Sequence, residues 1–364
     1  MPKIFEVFGY PLKDKSAKAA ACRCSATCPF MGVPCDGGGN RYLSNLKFKE
    51  GSELQNFFSV KDAVPAGVCS IQIQDTSWIV CPRRLLVLGK EQINKIRYQD
   101  EVHNLLISKA NYPKGTLLGV WTEVKIKHTE KIGTIIKSFD YTFDYIVAPL
   151  KRTNKDQVQI ATGTPWEKIK GNLARNGYTT SLINNELCID NFPCGPPTII
   201  EIMTSSTSGG NKSKRTTIPN AFEDAILGKE HTAPGINYRQ VWARMASQLI
   251  VKSEIGKEWG GATIWVLQDA LVDYISNSTA LDIRNFLAKN ISDVNILSFS
   301  YGSKMNASKG VIELHEGKLY AGPLRPIVKT EESFQDIIRI PCSPPVEILW
   351  KHLVEKKPVN FIKL

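Results

Sequence analysis

The sequence predicts a protein of the α/β (α+β) class, in which helices flank a sheet and a small cysteine-rich unit precedes it. Two segments around Asp144 and Glu201 are rich in aromatic and β-branched residues, as buried strands are. Segments between and after them place apolar residues at helical spacing. Six of the nine cysteines fall before residue 82. We therefore expect a metal-binding domain over residues 1–91 and a larger domain over residues 92–364.

The overall composition is that of a globular protein. The chain has 364 residues, of which 42% are hydrophobic and 22% charged, and this excludes the disordered and fibrous classes. It carries 46 Lys and Arg against 35 Asp and Glu, a formal charge of +11 that favours a polyanionic partner such as nucleic acid. The sequence has no apolar window long enough to cross a membrane and no signal-peptide pattern at its start. We expect a cytoplasmic protein.

Four cysteines near the amino terminus stand beside turn-forming residues: Cys28, Cys35, Cys69 and Cys81. Such positions predict knuckle-like loops that can bring the four thiols together. Four thiolates without histidine favour a closed structural site for zinc or iron. The spacings of 7, 34 and 12 residues match no standard zinc-finger pattern, and Cys22 and Cys24 compete with Cys35 for a place in the site.

Each of the two strand-like segments encloses a single carboxylate, Asp144 in Tyr-Thr-Phe-Asp-Tyr and Glu201 in Ile-Ile-Glu-Ile-Met. A buried acid is costly unless a partner or a metal offsets its charge. An Asp and a Glu on neighbouring strands therefore predict a site for Mg²⁺, which prefers oxygen ligands. The competing interpretation is a pair of strands whose acids are partly exposed and bind nothing.

Two other acids compete for the same role. Glu123-Val-Lys125 is itself a Glu-x-Lys sequence on a strand with alternating polarity, but the nearest preceding acid, Asp100, lies in a helical segment. Asp140 lies four residues before Asp144 on the same face of its strand. Both alternatives stay open at the level of the sequence.

Taken in order, these segments resemble the family of NotI-like type II restriction endonucleases. Cys28-Pro-Phe, the lone Cys35, Gly-Val-Cys69 and Trp-Ile-Val-Cys81-Pro-Arg resemble that family's amino-terminal iron-binding domain. Tyr-Thr-Phe-Asp-Tyr is similar to the family's Phe-x-Phe-Asp-Trp strand, and Ile-Glu-Ile-Met-Thr to its Leu-Glu-Ile-Gln-Thr strand. A weaker similarity covers the helical segment 237–249, so the resemblance spans residues 28 to 260 in blocks.

The resemblance implies a PD-(D/E)xK core with a mixed sheet flanked by helices, which cleaves double-stranded DNA at a specific sequence. It implies that Asp144, Glu201 and the Met203 carbonyl hold Mg²⁺, that Glu123 is a further acidic site residue, and that the four cysteines hold iron or zinc. It also implies a homodimer acting on a long GC-rich palindrome, with a cognate DNA methyltransferase in the same system.

Two features depart from the family pattern. Residues 150–197 separate the two acids by 57 positions, a longer connection that must carry its own structure, and we expect a helix from Trp166 and a strand or hairpin from Ser181 to Asp190. Its lysines and arginines suit either contact with DNA or a solvated surface insertion. Met203 stands where the family has Gln or Lys, and a thioether cannot orient the attacking water.

The missing polar group has three candidate replacements, Lys125, Lys212 and Lys214. The last two belong to a basic loop that, with Arg215, is placed to meet phosphates or to be a solvated charge run. If nothing replaces it, the alternative function is a non-catalytic, sequence-specific DNA-binding protein with a structural metal site and a decayed nuclease core.

Overall fold

The amino-terminal unit is built on a four-stranded antiparallel sheet with the order β2-β1-β7-β8. The computed structural model describes residues 1–38, 46–60, 63–88, 97–109, 112–278, 282–306, 309–324 and 344–363. The elements of this unit are β1 (Lys3–Val7), β2 (Tyr10–Pro11), α1 (Ala17–Cys24), β3 (Thr27–Cys28), β4 (Val33–Pro34), β5 (Leu46–Lys47), α2 (Glu53–Phe57), β6 (Ala63–Val64), β7 (Val68–Ile73), β8 (Thr76–Ile79) and α3 (Pro82–Leu85). Two short strand pairs, β3–β4 and β5–β6, complete it.

A mixed nine-stranded sheet forms the larger part of the described chain. In chain order, the strands of this sheet and the helices of the same part of the chain are α4 (Arg97–Lys109), β9 (Leu117–Ile132), β10 (Ile135–Asn154), α5 (Lys155–Thr162), α6 (Trp166–Arg175), β11 (Thr180–Ile183), β12 (Glu186–Pro193), β13 (Thr198–Met203), α7 (Ile218–Ile226), α8 (Tyr238–Glu258), β14 (Ala262–Gln268), α9 (Asp269–Ser278), β15 (Val294–Ser300), β16 (His315–Gly322), α10 (Val346–Val354) and β17 (Asn360–Lys363). Strands β9, β10 and β13 are antiparallel neighbours, whereas β13, β14 and β15 run parallel. The predicted α+β class with a mixed sheet flanked by helices is confirmed.

Several predicted elements are present with altered limits. Helix α4 is described from Arg97, and the predicted domain boundary after residue 91 lies outside the described residues. In the long connection, α6 and the β11–β12 hairpin occupy the predicted positions, and β12 extends the large sheet by pairing with the end of β10. The helical segment noted over residues 237–249 is part of a longer helix, α8, which continues to Glu258. No helix among the described residues has the length and apolar content needed to cross a bilayer.

The large sheet is covered on both faces. On one face, Ile79 and Leu85 of the amino-terminal unit share a buried cluster with Val102 of α4, Val120 of β9 and Ile200 of β13. The opposite face packs against α8 and α10, in a cluster of buried side chains that includes Trp121, Ile199, Val251, Ile255 and Leu353. The amino-terminal unit and the sheet therefore share a core, since apolar side chains from both are removed from water in the same cluster.

A tight turn aligns the two central parallel strands. Helix α8 starts at Asn237, whose side-chain oxygen accepts a hydrogen bond from the Gln240 N–H at 3.2 Å. After the helix, Gly260 has a φ of 71° and turns the chain towards β14. A Cβ atom on Gly261 would lie 1.7 Å from the Pro197 carbonyl oxygen, so only glycine permits this approach. The turn sets β14 beside β13, with α8 packed against both.

Candidate active site

Asp144 and Glu201 lie opposite each other on neighbouring strands. Strand β10 pairs with β13 through Tyr145↔Ile200 and Ile146↔Ile199, and one further step in this register brings Asp144 to Glu201. The ladder ends there, because the Asp144 side chain replaces the backbone as acceptor: its Oδ2 accepts the Ile202 N–H at 2.8 Å. The structure thus brings together the two acids singled out in the sequence.

The two strands diverge beyond this pair of acids. Residues 135–143 of β10 continue with β9 as their partner, while β13 continues along β14 as far as Met203↔Leu267. We call this point of divergence the fork, defined by Asp144 and Glu201. Because β10 and β13 are antiparallel, the start of β10 and the loop after β13 leave the sheet at the same end.

Lys252 of α8 joins the acids from the helix side of the sheet. Its Nζ donates to Glu201 Oε2 at 2.6 Å and to the Thr142 carbonyl oxygen at 2.8 Å. The ammonium group also lies over the ring of Phe143, 5.3 Å from the ring centroid. The side chains of Lys252 and Glu201 are only 3% and 4% exposed, so this ion pair is almost fully withdrawn from water. Lys252 was not singled out in the sequence.

The surroundings of the Glu201 carboxyl group are compatible with a bound cation. Burial raises the pKa of Glu201 to about 8; Lys252 opposes the rise, and Asp144 adds to it by charge repulsion. Glu201 Oε1 is buried and has no hydrogen-bond partner among the described residues. A buried carboxylate with an unpaired oxygen beside a second carboxylate fits the oxygen-donor preference of Mg²⁺.

Glu123 lies on the third strand of the site with a strained backbone. The pairs Phe143↔Val124 and Tyr145↔Thr122 place Glu123 across from Asp144, on the side of β10 away from β13. Its φ of 50° is in the left-handed region, which costs a non-glycine residue roughly 1–3 kcal/mol. The Glu123 side chain is exposed, and its carbonyl oxygen accepts a hydrogen bond from Lys356 Nζ at 3.2 Å.

The same position reverses the faces of β9. Leu118 and Val120 pack with the amino-terminal unit, whereas Val124 and Ile126 pack with the cluster that contains α8 and α10. In a regular strand these four residues would all point to one face. Strand β10 has a matching reversal, because the alternation of its side chains between the two faces is interrupted at Asp144 and Tyr145. The distorted backbone therefore lies at the fork.

The side chains of the remaining sequence candidates contact residues other than Glu201. The Met203 side chain is 6% exposed and packs in an apolar cluster with Met245 and Trp265. Lys125 Nζ lies 3.6 Å from Asp140 on the exposed surface of the β9–β10 hairpin, and Lys127 Nζ lies 3.1 Å from the same carboxylate. A hydrogen bond from Lys127 is the main cause of the lowered pKa of Asp140.

The basic loop after β13 is held in a defined shape. Asn211 Oδ1 accepts from the Lys214 N–H at 2.9 Å, and the Thr216 N–H donates to the Asn211 carbonyl oxygen at 2.9 Å. Arg215 forms ion pairs with Asp224 at 2.8 Å and Glu223 at 3.0 Å, both on α7. It therefore fastens the loop to α7, while the Lys212 and Lys214 side chains stand exposed.

The four predicted metal cysteines are drawn into one region of the amino-terminal unit. The charge of each thiol influences at least one of the others: Cys81 affects Cys28, Cys35 and Cys69. Burial raises the pKa of Cys35 to about 12, and a hydrogen bond from Cys69 is the main cause of the lowered pKa of Cys81. Cys22 lies on α1 instead, with its sulfur 3.9 Å from the Tyr10 hydroxyl, and Cys24 ends the same helix.

Backbone N–H groups point at all four sulfurs. Burial raises the pKa of Cys28 and of Cys35, and backbone N–H groups two and three residues later oppose the rise, those of Phe30 and Met31 at Cys28 and those of Gly37 and Gly38 at Cys35. The N–H groups of Arg83 and Arg84, at the same spacing, contribute to the lowered pKa of Cys81. The Gly9 N–H donates to Cys69 Sγ at 3.2 Å. Such bonds favour the thiolate, which is the form that binds metal.

No group of three or more His, Cys, Asp or Glu side chains in the described part of the chain is arranged as a metal site. The Cys69 thiol donates a hydrogen bond to Cys81. The knuckle-like N–H donors depend on backbone shape and not on the rotation of thiol side chains. These donors stay directed at the sulfur positions when a thiol rotates about χ1.

Two arginines next to Cys81 connect the cysteine unit to the large sheet. Arg83 donates to Asp36 at 3.0 Å and to the hydroxyl of Tyr145, the residue after Asp144, at 3.2 Å. Arg84 is fully buried and forms an ion pair with the buried Glu6 at 2.9 Å. The partners of this pair include groups from the larger part of the chain: Tyr98, Tyr301 and the Ile312 carbonyl.

Comparison of the chain with family models, with curated proteins and with solved structures found no match.

Proposed function

We propose that the protein is a type II restriction endonuclease that uses Mg²⁺ to cleave double-stranded DNA at a specific sequence. The observation that carries the proposal is the arrangement at the fork, where Asp144 faces Glu201 and the latter is ion-paired with Lys252 at 2.6 Å. Opposed carboxylates with a nearby ammonium group suit the hydrolysis of a phosphodiester, which requires a divalent ion and compensation of phosphate charge. The formal charge of +11 suits the same substrate.

The residues at the fork have distinct roles in this proposal. Asp144, Glu201 and the Met203 backbone carbonyl hold Mg²⁺, and Glu123 assists directly or through a water molecule. When bound, the ion supplies activation of the attacking water and stabilises charge on the leaving oxygen. Lys252 opposes the rise that burial causes in the pKa of Glu201, orients the carboxylate, and provides the positive charge that Met203 cannot.

The fold supports a nuclease core of the PD-(D/E)xK type. Helix α4 is followed by the antiparallel strands β9, β10 and β13, and then by α8 and the parallel strand β14. Every acid of the proposed site lies on these three antiparallel strands, and the ammonium group of Lys252 comes from α8. We further propose that the active form is a homodimer on a GC-rich palindrome, and that a cognate DNA methyltransferase protects the host.

We also propose a structural iron or zinc ion bound by Cys28, Cys35, Cys69 and Cys81. The backbone N–H groups directed at each sulfur support it, because they stabilise the deprotonated thiols that such an ion requires. The ion would fix the start of α3, which carries Arg83, and through Tyr145 it would stabilise the strand that carries Asp144.

One observation favours the alternative of a non-catalytic DNA-binding protein. Glu201 is only 3% exposed and Met203 packs in the core, which fits a site that has lost contact with solvent. Incubation of the purified protein with long, mixed-sequence DNA and Mg²⁺ distinguishes the two functions. Discrete fragments support the endonuclease, and sequencing their ends gives the recognition site. Unchanged DNA that remains bound supports the alternative.

A further inference from the structure

We propose that the β9–β10 hairpin is a DNA-binding arm that inserts its tip into a groove of the duplex beside the fork. We call residues 125–142 the arm. This inference rests on the proposed function for its partner but concerns a separate surface. It assigns a binding role to residues at the tip, away from the carboxylates of the fork.

The base of the arm packs against the cluster of α8 and α10 through Ile126 and Phe139, and beyond it the arm continues as a two-stranded ribbon. Its strands pair with each other from Thr142↔Lys125 to Ile135↔Ile132, whereas β13 meets β10 only over Tyr145–Val147 and β17 meets β9 only over Leu117–Val120. At about 3.4 Å per residue, the eight residues from Asp144 to Ile136 place the tip roughly 27 Å from the fork. A two-stranded ribbon has the width that the major groove of DNA accepts.

The tip exposes apolar side chains that its short turn cannot bury. Ile132, Ile135 and Ile136 are 48%, 57% and 71% exposed and lie within five residues of one another. Isolated exposed apolar residues are ordinary, but a cluster of three at the end of a ribbon indicates a contact surface. Isoleucine can contact thymine methyl groups or wedge between base steps.

The charges on the arm favour DNA as the occupant. The arm carries four lysines against two carboxylates, Glu130 and Asp140: Lys125, Lys127, Lys131 and Lys137. Asp140 forms ion pairs with Lys125 at 3.6 Å and with Lys127 at 3.1 Å. The two lysines nearer the tip, Lys131 and Lys137, are the ones we assign to the partner. A polyanion with apolar base edges matches lysines interleaved with isoleucines.

The position of the arm fits the same partner. The arm precedes the fork on β10 and the loop with Lys212 and Lys214 follows β13, so both leave the sheet at the same end. A duplex whose phosphate reaches Asp144 and Glu201 would therefore meet two basic segments at that end. Each segment can contact the backbone or a groove while the fork holds the scissile phosphate.

The test measures binding of the full-length protein to a 30-base-pair duplex of mixed sequence, without Mg²⁺, at several KCl concentrations. Lys131→Ala/Lys137→Ala removes two tip charges, and the matched control Lys289→Ala/Lys318→Ala removes two exposed lysines near β16 at the far edge of the sheet. The tip variant should lower the slope of log K against log[KCl] by about 1.8, at about 0.9 per phosphate contact. The control should keep the wild-type slope.

A second variant tests the isoleucines. Ile135→Thr/Ile136→Thr keeps β-branched residues in the ribbon and should reduce cleavage at least ten-fold, with an unchanged molecular mass by sedimentation. Wild-type binding and cleavage by both tip variants would overturn the inference, and so would a loss of dimer mass in the isoleucine variant, which would make the tip a subunit contact. If the wild type binds DNA without cleaving it, the proposed function fails while the salt slope still decides the role of the arm.

Discussion

The Lys252 ammonium lies 2.6 Å from Glu201 Oε2, although the two residues are 51 positions apart in the chain. The contact joins α8 to β13 at the point where β13 diverges from β10. The contact gives the site a buried positive charge from a helix. The position two residues after Glu201 on β13 holds the apolar Met203 instead.

The first prediction concerns this ammonium group. Lys252→Met keeps the length of the side chain but removes its charge, and should reduce kcat for DNA cleavage on the order of 10²–10⁴-fold. The free energy of unfolding should fall by only about 1–3 kcal/mol, because Glu201 can take up a proton when its partner is lost. Lys252→Arg should recover part of the activity. A Lys252→Met enzyme with wild-type kcat would contradict the role of Lys252.

The second prediction distinguishes Lys252 from the lysines that the sequence offered as replacements for the polar group missing at Met203. Lys125→Ala should cleave DNA at close to the wild-type rate, because Lys125 is paired with the exposed Asp140. Lys212→Ala and Lys214→Ala should weaken binding in a salt-dependent manner and leave kcat unchanged. Met203→Gln should destabilise the protein without raising activity, because it buries an amide among apolar side chains. A large loss of kcat in Lys125→Ala would restore the Glu123-Val-Lys125 interpretation.

The third prediction concerns the cysteines. Elemental analysis should find one iron or zinc ion per chain, with a red colour from thiolate-to-iron charge transfer if the metal is iron. Chelation should destabilise the amino-terminal unit together with the core that it shares with the large sheet, and should reduce cleavage, because Arg83 links this unit to Tyr145 beside Asp144. Cys22→Ser and Cys24→Ser are the matched controls and should retain the metal. Purified protein with neither metal would rule out the site.

The fourth prediction concerns the buried pair Glu6 and Arg84. Arg84→Met leaves Glu6 without its partner and should lower the free energy of unfolding by about 3–5 kcal/mol. Glu6→Gln/Arg84→Met should be less destabilised than Arg84→Met alone, because it leaves no unpaired buried charge. Urea unfolding of all three forms should show one transition, since Tyr98 and Tyr301 tie the pair to the larger part of the chain. Two separate transitions would show that the cysteine unit unfolds on its own.

The strands at the fork could be predicted from the sequence because each encloses a lone acid in an apolar, β-branched setting. Their pairing follows from that pattern. The reversal of faces at Glu123 could not be predicted. It depends on a left-handed backbone conformation, which glycine or asparagine usually adopts and which Glu123 adopts here.

Lys252 was missed for a different reason. It reaches Glu201 through tertiary packing, and local spacing says nothing about a contact across 51 positions. A weak signal was present in the sequence, because Lys252 directly follows the apolar run Leu249-Ile-Val and the structure buries residues 251–256 of α8. A charged residue inside such a stretch requires a buried partner, and Glu201 is that partner.

The central claim is that Asp144 and Glu201 together hold the catalytic Mg²⁺. Its most direct test is cleavage of long DNA in Mg²⁺ by the wild type, Asp144→Asn and Glu201→Gln, with binding to the same DNA measured in parallel. We predict discrete fragments from the wild type and none from either variant, with binding retained, because each change removes a charged ligand with little change of shape. Cleavage by either variant at the wild-type rate would contradict the claim and move the site to Glu123 or Asp140.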